Sequence, residues 1–296
     1  MKRTLLLLTL FIGGASLSSF AQDANEDSTG TPGDHFSLEG ALDLFKQAQS
    51  PEEFEKLLNT ESNHVNNLDL NGDGDIDYIK VINKKDGDAQ VLVLQVPVNE
   101  NENQDIAVIE IEKNGAESAS IQIIGDEDIF GEEVVVEPKG EDEKTPGGPY
   151  WSHLDEQPAG VIVNVWLWPS VRFMYAPGYR LWVSPWRWHA YPAWWRPWRP
   201  VRWSVFHPYC VRYRPYYAYA PAVRLTYAHR VYSPIRTTSV VVRNRHAVAV
   251  NHYRVNRKTT TVVGPRGNRY QRTTTTVRGR NGHVVGRKTS VRRRRG

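Results

Sequence analysis

Charge is sorted along this chain into two halves of opposite sign, joined at about Pro146–Pro149. Residues 22–150 carry 31 Asp and Glu against 8 Lys, a balance of −23. Residues 151–296 carry 25 Arg and 2 Lys against only Asp155 and Glu156, a balance of +25. The net charge of +4 hides this separation, and all ten tryptophans lie in the basic half. Like charges in one compact body repel, so the halves should seek partners of opposite sign, or each other.

The first residues read as an export signal over 1–21. Lys2 and Arg3 precede an apolar run at 5–12, and Ser19-Phe20-Ala21 offers a small-residue cleavage site before Gln22. The expected location is therefore the periplasm, the outer-membrane periphery or the outside of the cell. Residues 22–35 read as a disordered leader. No later apolar run approaches the ~20 residues of a spanning helix. Cys210 is the single cysteine, so no internal disulfide framework is available, and a small buried thiol beside Tyr209 is expected.

Residues 36–139 read as an α+β domain. Ser37 can cap a helix over 38–49 that places Leu42, Phe45 and Ala48 on one face. Ser50-Pro51-Glu52-Glu53 is a capping box with proline at the first helical position, starting a second helix over 51–59. After Asp77 the apolar period changes from 3.6 to 2. Segments 78–83, 90–98, 106–113 and 119–124 read as strands, and Asp86-Gly87 and Asn114-Gly115 are hairpin signals. The expected assembly is N-terminal helices packed on one face of an antiparallel β-meander, with a short strand at 133–137.

A charged Gly/Pro linker spans 140–150. In the Trp/Arg/Tyr/Pro-rich region 151–236, strands are expected at 160–168, 171–175 and 180–184, with a turn at Ala176-Pro177-Gly178. The prolines of 185–221 argue for extended or irregular backbone. The basic tail 237–296 repeats Thr/Val segments at Thr259-Thr260-Thr261, Thr273-Thr274-Thr275-Thr276 and Lys288-Thr289-Ser290-Val291. With Asn281-Gly282 as a turn, it reads either as marginal hairpins or as disorder until bound. The basic half is thus β-rich or largely irregular by sequence.

Asp69-Leu70-Asn71-Gly72-Asp73-Gly74-Asp75-Ile76-Asp77 has the spacing of a calcium loop. Oxygens of Asp69, Asn71 and Asp73 can converge on one side of a tight turn, Gly74 permits the bend, Asp75 offers its carbonyl, and Asp77 binds directly or through water. The loop resembles that of EF-hands except at the twelfth position, where a bidentate Glu is replaced by Lys80. A strand also follows, so the closer likeness is to the calcium loops of FG-GAP-like extracellular domains. That likeness implies weak Ca2+ affinity, in the ~10⁻⁴ M range.

Trp186, Arg187, Trp188, Trp194, Trp195, Arg196, Trp198, Arg199 and Arg202 form the densest Trp/Arg run. Guanidinium groups stack on indoles and grip phosphate or carboxylate, while Trp favours apolar–polar boundaries. Residues 186–200 resemble Trp/Pro/Arg-rich membrane-active peptides in composition. An anionic membrane surface or polysaccharide is the first expected partner, and self-association through opposite charges is a second. Extracellular nucleic acid, suggested by Arg292–Arg295, is the alternative. The bland reading keeps Trp and Tyr as core with Arg as a solvated rim.

Catalysis is not indicated. The nine histidines show no HxxxH, HExxH or HxH spacing, and no GxSxG, P-loop or GxGxxG occurs. His153 with Asp155 and Glu156 is the nearest acid–base group and reads as a solvated loop. A glycan hydrolase is the third reading, weakened because no Asp or Glu follows Glu156. Through Asp69–Tyr78 and Trp182-Val183-Ser184-Pro185-Trp186, residues 36–255 resemble exported envelope proteins of Gram-negative bacteria. Those proteins join a helix–calcium-loop–meander domain to a Trp/Arg/Tyr-rich region. The resemblance implies location and architecture, and brings no activity with it.

Overall fold

The computed structural model of the chain describes residues 28–140, 163–255, 257–263, 269–278 and 284–293. The segment read as an export signal, most of the linker and His153 with its acidic neighbours lie outside them. Six antiparallel strands pair in chain order: β1 (Lys80–Asp86), β2 (Ala89–Pro97), β3 (Asn103–Gly115), β4 (Ser118–Gly125), β5 (Val134–Pro138) and β6 (Tyr217–Ala220). Helices α1 (Leu38–Gln47) and α2 (Pro51–Leu58) precede them. Their caps are those the sequence signals. Ser37 Oγ accepts the Gly40 N–H at 3.0 Å and Ser50 Oγ the Glu53 N–H at 3.2 Å, while Glu53 reaches back to the Gln49 N–H at 2.7 Å. The α+β class and the meander are those read from the sequence.

Both faces of the sheet are covered. On one, Leu92, Leu94, Ile109, Ile111, Ile121 and Ile123 meet Leu42, Phe45, Phe54 and Leu58. On the other, Val91, Val93, Val108 and Ile124 meet Leu225, Ala228 and Tyr232 of α6 (Thr226–Tyr232). This explains the unbroken Val-Leu-Val-Leu run of β2, which is buried along its whole length. Each such side chain contributes roughly 1.5–3 kcal/mol by leaving water.

The change of composition at 140–150 is not a break in the sheet. β6, from the basic half, pairs with β5 through Val135↔Ala220, Val136↔Tyr219 and Glu137↔Ala218. Other segments of this half differ from expectation. Residues 171–175 lie in a helix, α4 (Pro169–Tyr175), not a strand. Pro169 suits a first helical turn, Val171 and Met174 are buried three apart, and Ser170 Oγ donates to Phe45 O at 2.7 Å. Of 180–184 only Val183 bridges to a strand, at Ile82. The expected turn at 176–178 is present, with Gly178 at φ +80° and the Tyr179 N–H donating to Ala176 O at 3.2 Å. Residues 203–211 form α5 (Trp203–Val211) in spite of Pro208. That helix is short, so the missing N–H removes one bond, and buried Phe206 holds it against His35 with ring centroids 6.4 Å apart.

Residues 28–35, expected as leader, are ordered: Asp34 accepts from Ser28 Oγ, Thr29 Oγ1 and the Gly30 N–H, and Thr31, Pro32 and Gly33 are buried. The tail forms α7 (Val240–Val255) and a three-stranded antiparallel sheet of β7 (Arg257–Val263), β8 (Arg269–Arg278) and β9 (Val284–Arg293). The recurring Thr segments fall on successive strands of this sheet, as in Thr274↔Thr289. Asn281-Gly282 lies outside the described residues. Among the described residues, no helix is long and apolar enough to cross a membrane.

Candidate functional site

The acidic loop and the Trp/Arg run, distant in sequence, lie against each other. In the loop, Asp69 accepts three backbone N–H groups, from Gly72 at 2.6 Å, Asp73 at 3.1 Å and Gly74 at 3.0 Å. Asn71 Oδ1 accepts the Asp73 N–H, Asp73 Oδ1 the Asp75 N–H, and Asp77 Oδ2 the Leu70 N–H at 2.6 Å. Gly72 and Gly74 take φ values of +72° and +87°, where a side chain is strained. At Gly72 a Cβ would also lie 1.9 Å from Arg245 Nη1 of α7. Ile76 is buried and Asp73 and Asp75 are exposed. Burial, with Asp69 and Asp73 adding repulsion, pushes the Asp77 carboxyl up to about 8. Among the described residues no three His, Cys, Asp or Glu side chains gather about one point, because the loop oxygens are turned onto the loop's own amides. The donor set is oxygen throughout, which fits Ca2+. Lys80, at the twelfth position, donates to Asn103 Oδ1 at 3.0 Å instead of facing the loop.

The Trp/Arg run is pinned at several points. The Ile76 N–H donates to Trp198 O at 2.8 Å, Asn67 exchanges two hydrogen bonds of 2.8 Å with Val201, and the Asn83 N–H donates to Trp182 O. Trp195 is only 5% exposed and packs edge-on against Tyr78 and Tyr191, with centroids at 5.1 and 4.7 Å. It is core, not interface. Trp186, Trp188 and Trp198 are half-buried, and Trp194 is 47% exposed with Lys56 Nζ 5.8 Å from its centroid. Arg187, Arg196, Arg199 and Arg202 are exposed, and none pairs with a carboxylate among the described residues. Trp195 thus turns inward, while Trp194 and the four arginines face outward.

Sequence reasoning missed the residue on which this segment hangs. Glu55 of α2 is 2% exposed and accepts four hydrogen bonds: Tyr78 OH at 2.8 Å, the Val81 N–H at 2.9 Å, Trp182 Nε1 at 3.1 Å and Ser184 Oγ at 2.8 Å. Burial raises its pKa, and those four donors oppose the rise. Trp182 and Ser184 belong to the motif that carries the family resemblance, and here they serve the fold. Their spacing two apart on an extended segment was the one signal available.

Among the described residues, Arg224, Arg236, Arg243 and Arg254 pair with the chain's own carboxylates. Arg224 meets Glu137 at 2.7 Å, and His229 meets Glu110 at 2.9 Å, a contact that raises the His229 pKa. Arg236 meets Asp126 and Asp128, with Arg243 and Arg254 beside it on Asp128. Glu112 Oε1 accepts the Tyr227 and Ala228 N–H groups, capping α6. Asp105 Oδ2 accepts the Thr237 N–H at 2.8 Å and Tyr232 OH at 3.2 Å, and Gln95 donates to Oδ1.

Burial, opposed by those donors, pushes Asp105 up from 3.8 to about 6. The folded chain therefore holds that proton more tightly than the unfolded one, and stability falls as pH rises between the two values. The group's share is about 3 kcal/mol. Urea midpoints measured from pH 4 to 7 should decline across this window, and Asp105→Asn should flatten the decline. An unchanged slope in that variant would refute the assignment.

No protein-family model, curated protein or solved structure matches this chain.

Proposed function

We propose that this chain is a non-catalytic exported protein that grips an anionic envelope surface, lipid or polysaccharide, through the cationic segment 186–202, steadied by Ca2+ in the adjoining loop. The observation carrying this reading is the sorting of arginines. Arg224, Arg236, Arg243 and Arg254 form ion pairs with carboxylates of the same chain, while Arg187, Arg196, Arg199 and Arg202 face water with no such pair among the described residues, on a backbone tied to the fold. A rigid cationic face loses little entropy on binding, and its arginines offer bidentate contacts to phosphate or carboxylate. Trp194, exposed beside them, supplies an amphipathic ring for the interfacial zone. The resemblance to envelope proteins and the export signal support the location.

The test is co-sedimentation with lipopolysaccharide and with phosphatidylglycerol vesicles at low ionic strength. Each arginine near an anionic surface contributes about 1 kcal/mol, so changing all four to serine should weaken binding by roughly a thousandfold. Undiminished binding by that variant would refute the assignment. Stronger retention on polynucleotide than on either surface would replace it with nucleic-acid binding.

Calcium is tested on the whole chain. With Kd near ~10⁻⁴ M, calcium at ~10 mM should stabilise by about 2.7 kcal/mol, which corresponds to a rise in Tm of roughly 5–10 °C. Magnesium should do less, and Asp73→Ala should abolish the effect. A Tm indifferent to calcium removes the ion from the account.

A further inference from the structure

Ahead of the cationic segment, the chain holds three apolar side chains out of the protein where nothing in the fold uses them. Phe173, Leu181 and Val183 are 47%, 46% and 55% exposed. Single exposed apolar side chains are ordinary, but a group fixed in one place marks a surface that meets something apolar. Residues 181–183 run beside β1, where Val183 bridges to Ile82 and the Asn83 N–H donates to Trp182 O at 2.8 Å. Side chains alternate along such a backbone, so Trp182 turns inward to Glu55 while Leu181 and Val183 both face outward. On α4, Val171 and Met174 are buried, which leaves Arg172 and Phe173 on the outer side. Tyr179 joins the two parts. Its ring meets Phe173 edge-on with centroids 5.4 Å apart, and its OH accepts the Trp182 N–H at 3.4 Å and donates to Asn83 Oδ1 at 2.9 Å.

The surroundings are cationic. Arg172 and Arg180 are exposed, and neither pairs with a carboxylate among the described residues. Lys84 and Lys85, also exposed, continue β1 past the bridge, ahead of Asp86 in the turn. Three half-exposed side chains fall well short of the ~800 Å² per partner that a stable protein interface buries. A polysaccharide offers negative charge without hydrocarbon. An anionic lipid layer supplies both, with phosphates for the guanidinium groups and acyl chains beneath them for the apolar side chains. Tyr179 and Trp182, both half-buried, stand at the boundary that such rings favour.

We propose that Phe173, Leu181 and Val183 form a wedge that enters an anionic phospholipid layer, with Arg172 and Arg180 on its phosphates. The wedge rests on the reading that this chain meets an anionic envelope surface, and it makes that surface lipid.

Binding of the full chain to phosphatidylglycerol vesicles and to immobilised alginate, a carboxylate polysaccharide, tests this. At ~0.5 M sodium chloride the wild type should leave alginate but keep part of its vesicle binding, because salt screens charge and not apolar contact. Changing Phe173, Leu181 and Val183 together to serine should weaken vesicle binding by roughly a hundredfold and leave alginate binding as it was. Should that variant fail to fold by circular dichroism, a bimane label on Leu181→Cys, in a Cys210→Ala background, reads the same contact. Its emission should shift to the blue on vesicles and be quenched by lipids carrying nitroxide on the acyl chain. Wild-type vesicle binding by the folded triple variant, equal loss on both materials, or a label that stays in water would each overturn the wedge. Wild-type retention on alginate but not on vesicles would overturn it and leave the cationic face standing. Vesicle binding that survives loss of the four arginines of 186–202, but not the triple change, would support the wedge and remove that face.

Discussion

Replacing Glu55 with alanine should lower the unfolding free energy by about 4 kcal/mol or more, near the upper end for a single substitution. The carboxylate is the acceptor for a tyrosine hydroxyl, a strand amide, an indole N–H and a serine hydroxyl, all in the interior. Hydrogen bonds to a charged acceptor are worth about 1.5–3 kcal/mol each, and these four are not additive because they share one group. The loss corresponds to a fall in Tm of roughly 10 °C. It should also loosen the segment that carries the cationic face. Hydrogen exchange at the Asn83 and Ser184 amides, which bond to Trp182 O at 2.8 Å and Val81 O at 3.1 Å, should quicken relative to amides of β3. Glu55→Gln, which keeps one acceptor oxygen, should fall between. A wild-type urea midpoint for Glu55→Ala would rule out the hub.

Arg236→Ala should destabilise by about 3–5 kcal/mol. Asp126, whose side chain is 1% exposed, receives Arg236 Nε at 2.5 Å and Nη2 at 3.0 Å, and the same guanidinium reaches Asp128 at 3.0 Å. Asp128 keeps Arg243 and Arg254 when Arg236 is removed, at 3.3 and 3.8 Å. Among the described residues Asp126 keeps no cation, so an uncompensated carboxylate is left in the interior. The double variant Arg236→Ala with Asp126→Asn should recover a large part of the loss, which separates the cost of a stranded charge from the worth of the pair. Salt should change the effect little, since the pair is shielded from water. Urea unfolding of the four members of this cycle is the measurement, and additive losses would refute the coupling.

What the sequence disclosed and what it withheld divide along one physical line. Local signals were legible: the Ser37 and Ser50 caps, the Asp86-Gly87 turn, the meander and the tight acidic loop each depend on residues close in the chain. Long-range docking was not. Glu110, Glu112 and Gln122 alternate with Ile109, Ile111 and Ile121, a pattern that reads as a solvated face. Instead, Gln122 Oε1 accepts the Arg224 and Leu225 N–H groups, and Glu110 receives His229. The charge balance of the halves was the available clue, and it left open whether the partner was a separate molecule or the chain's own other half. Within the Trp/Arg run, composition could not separate Trp195, buried against Tyr78, from Trp194 beside it. Backbone pinning at Trp198 and Val201 decides which ring turns inward.

The outermost strand of the main sheet is supplied from residues 217–220, long after β5 has been made. Until it arrives, Val134, Val135 and Val136 offer open backbone groups along an apolar border, a template for the wrong neighbour. A nascent chain emerging from its N-terminus therefore carries a sticky, heavily negative half-product, and registers its final topology only once the arginine-laden remainder has been delivered. Maturation is by construction a late event, and any shortened form ending near residue 140 inherits that open border permanently.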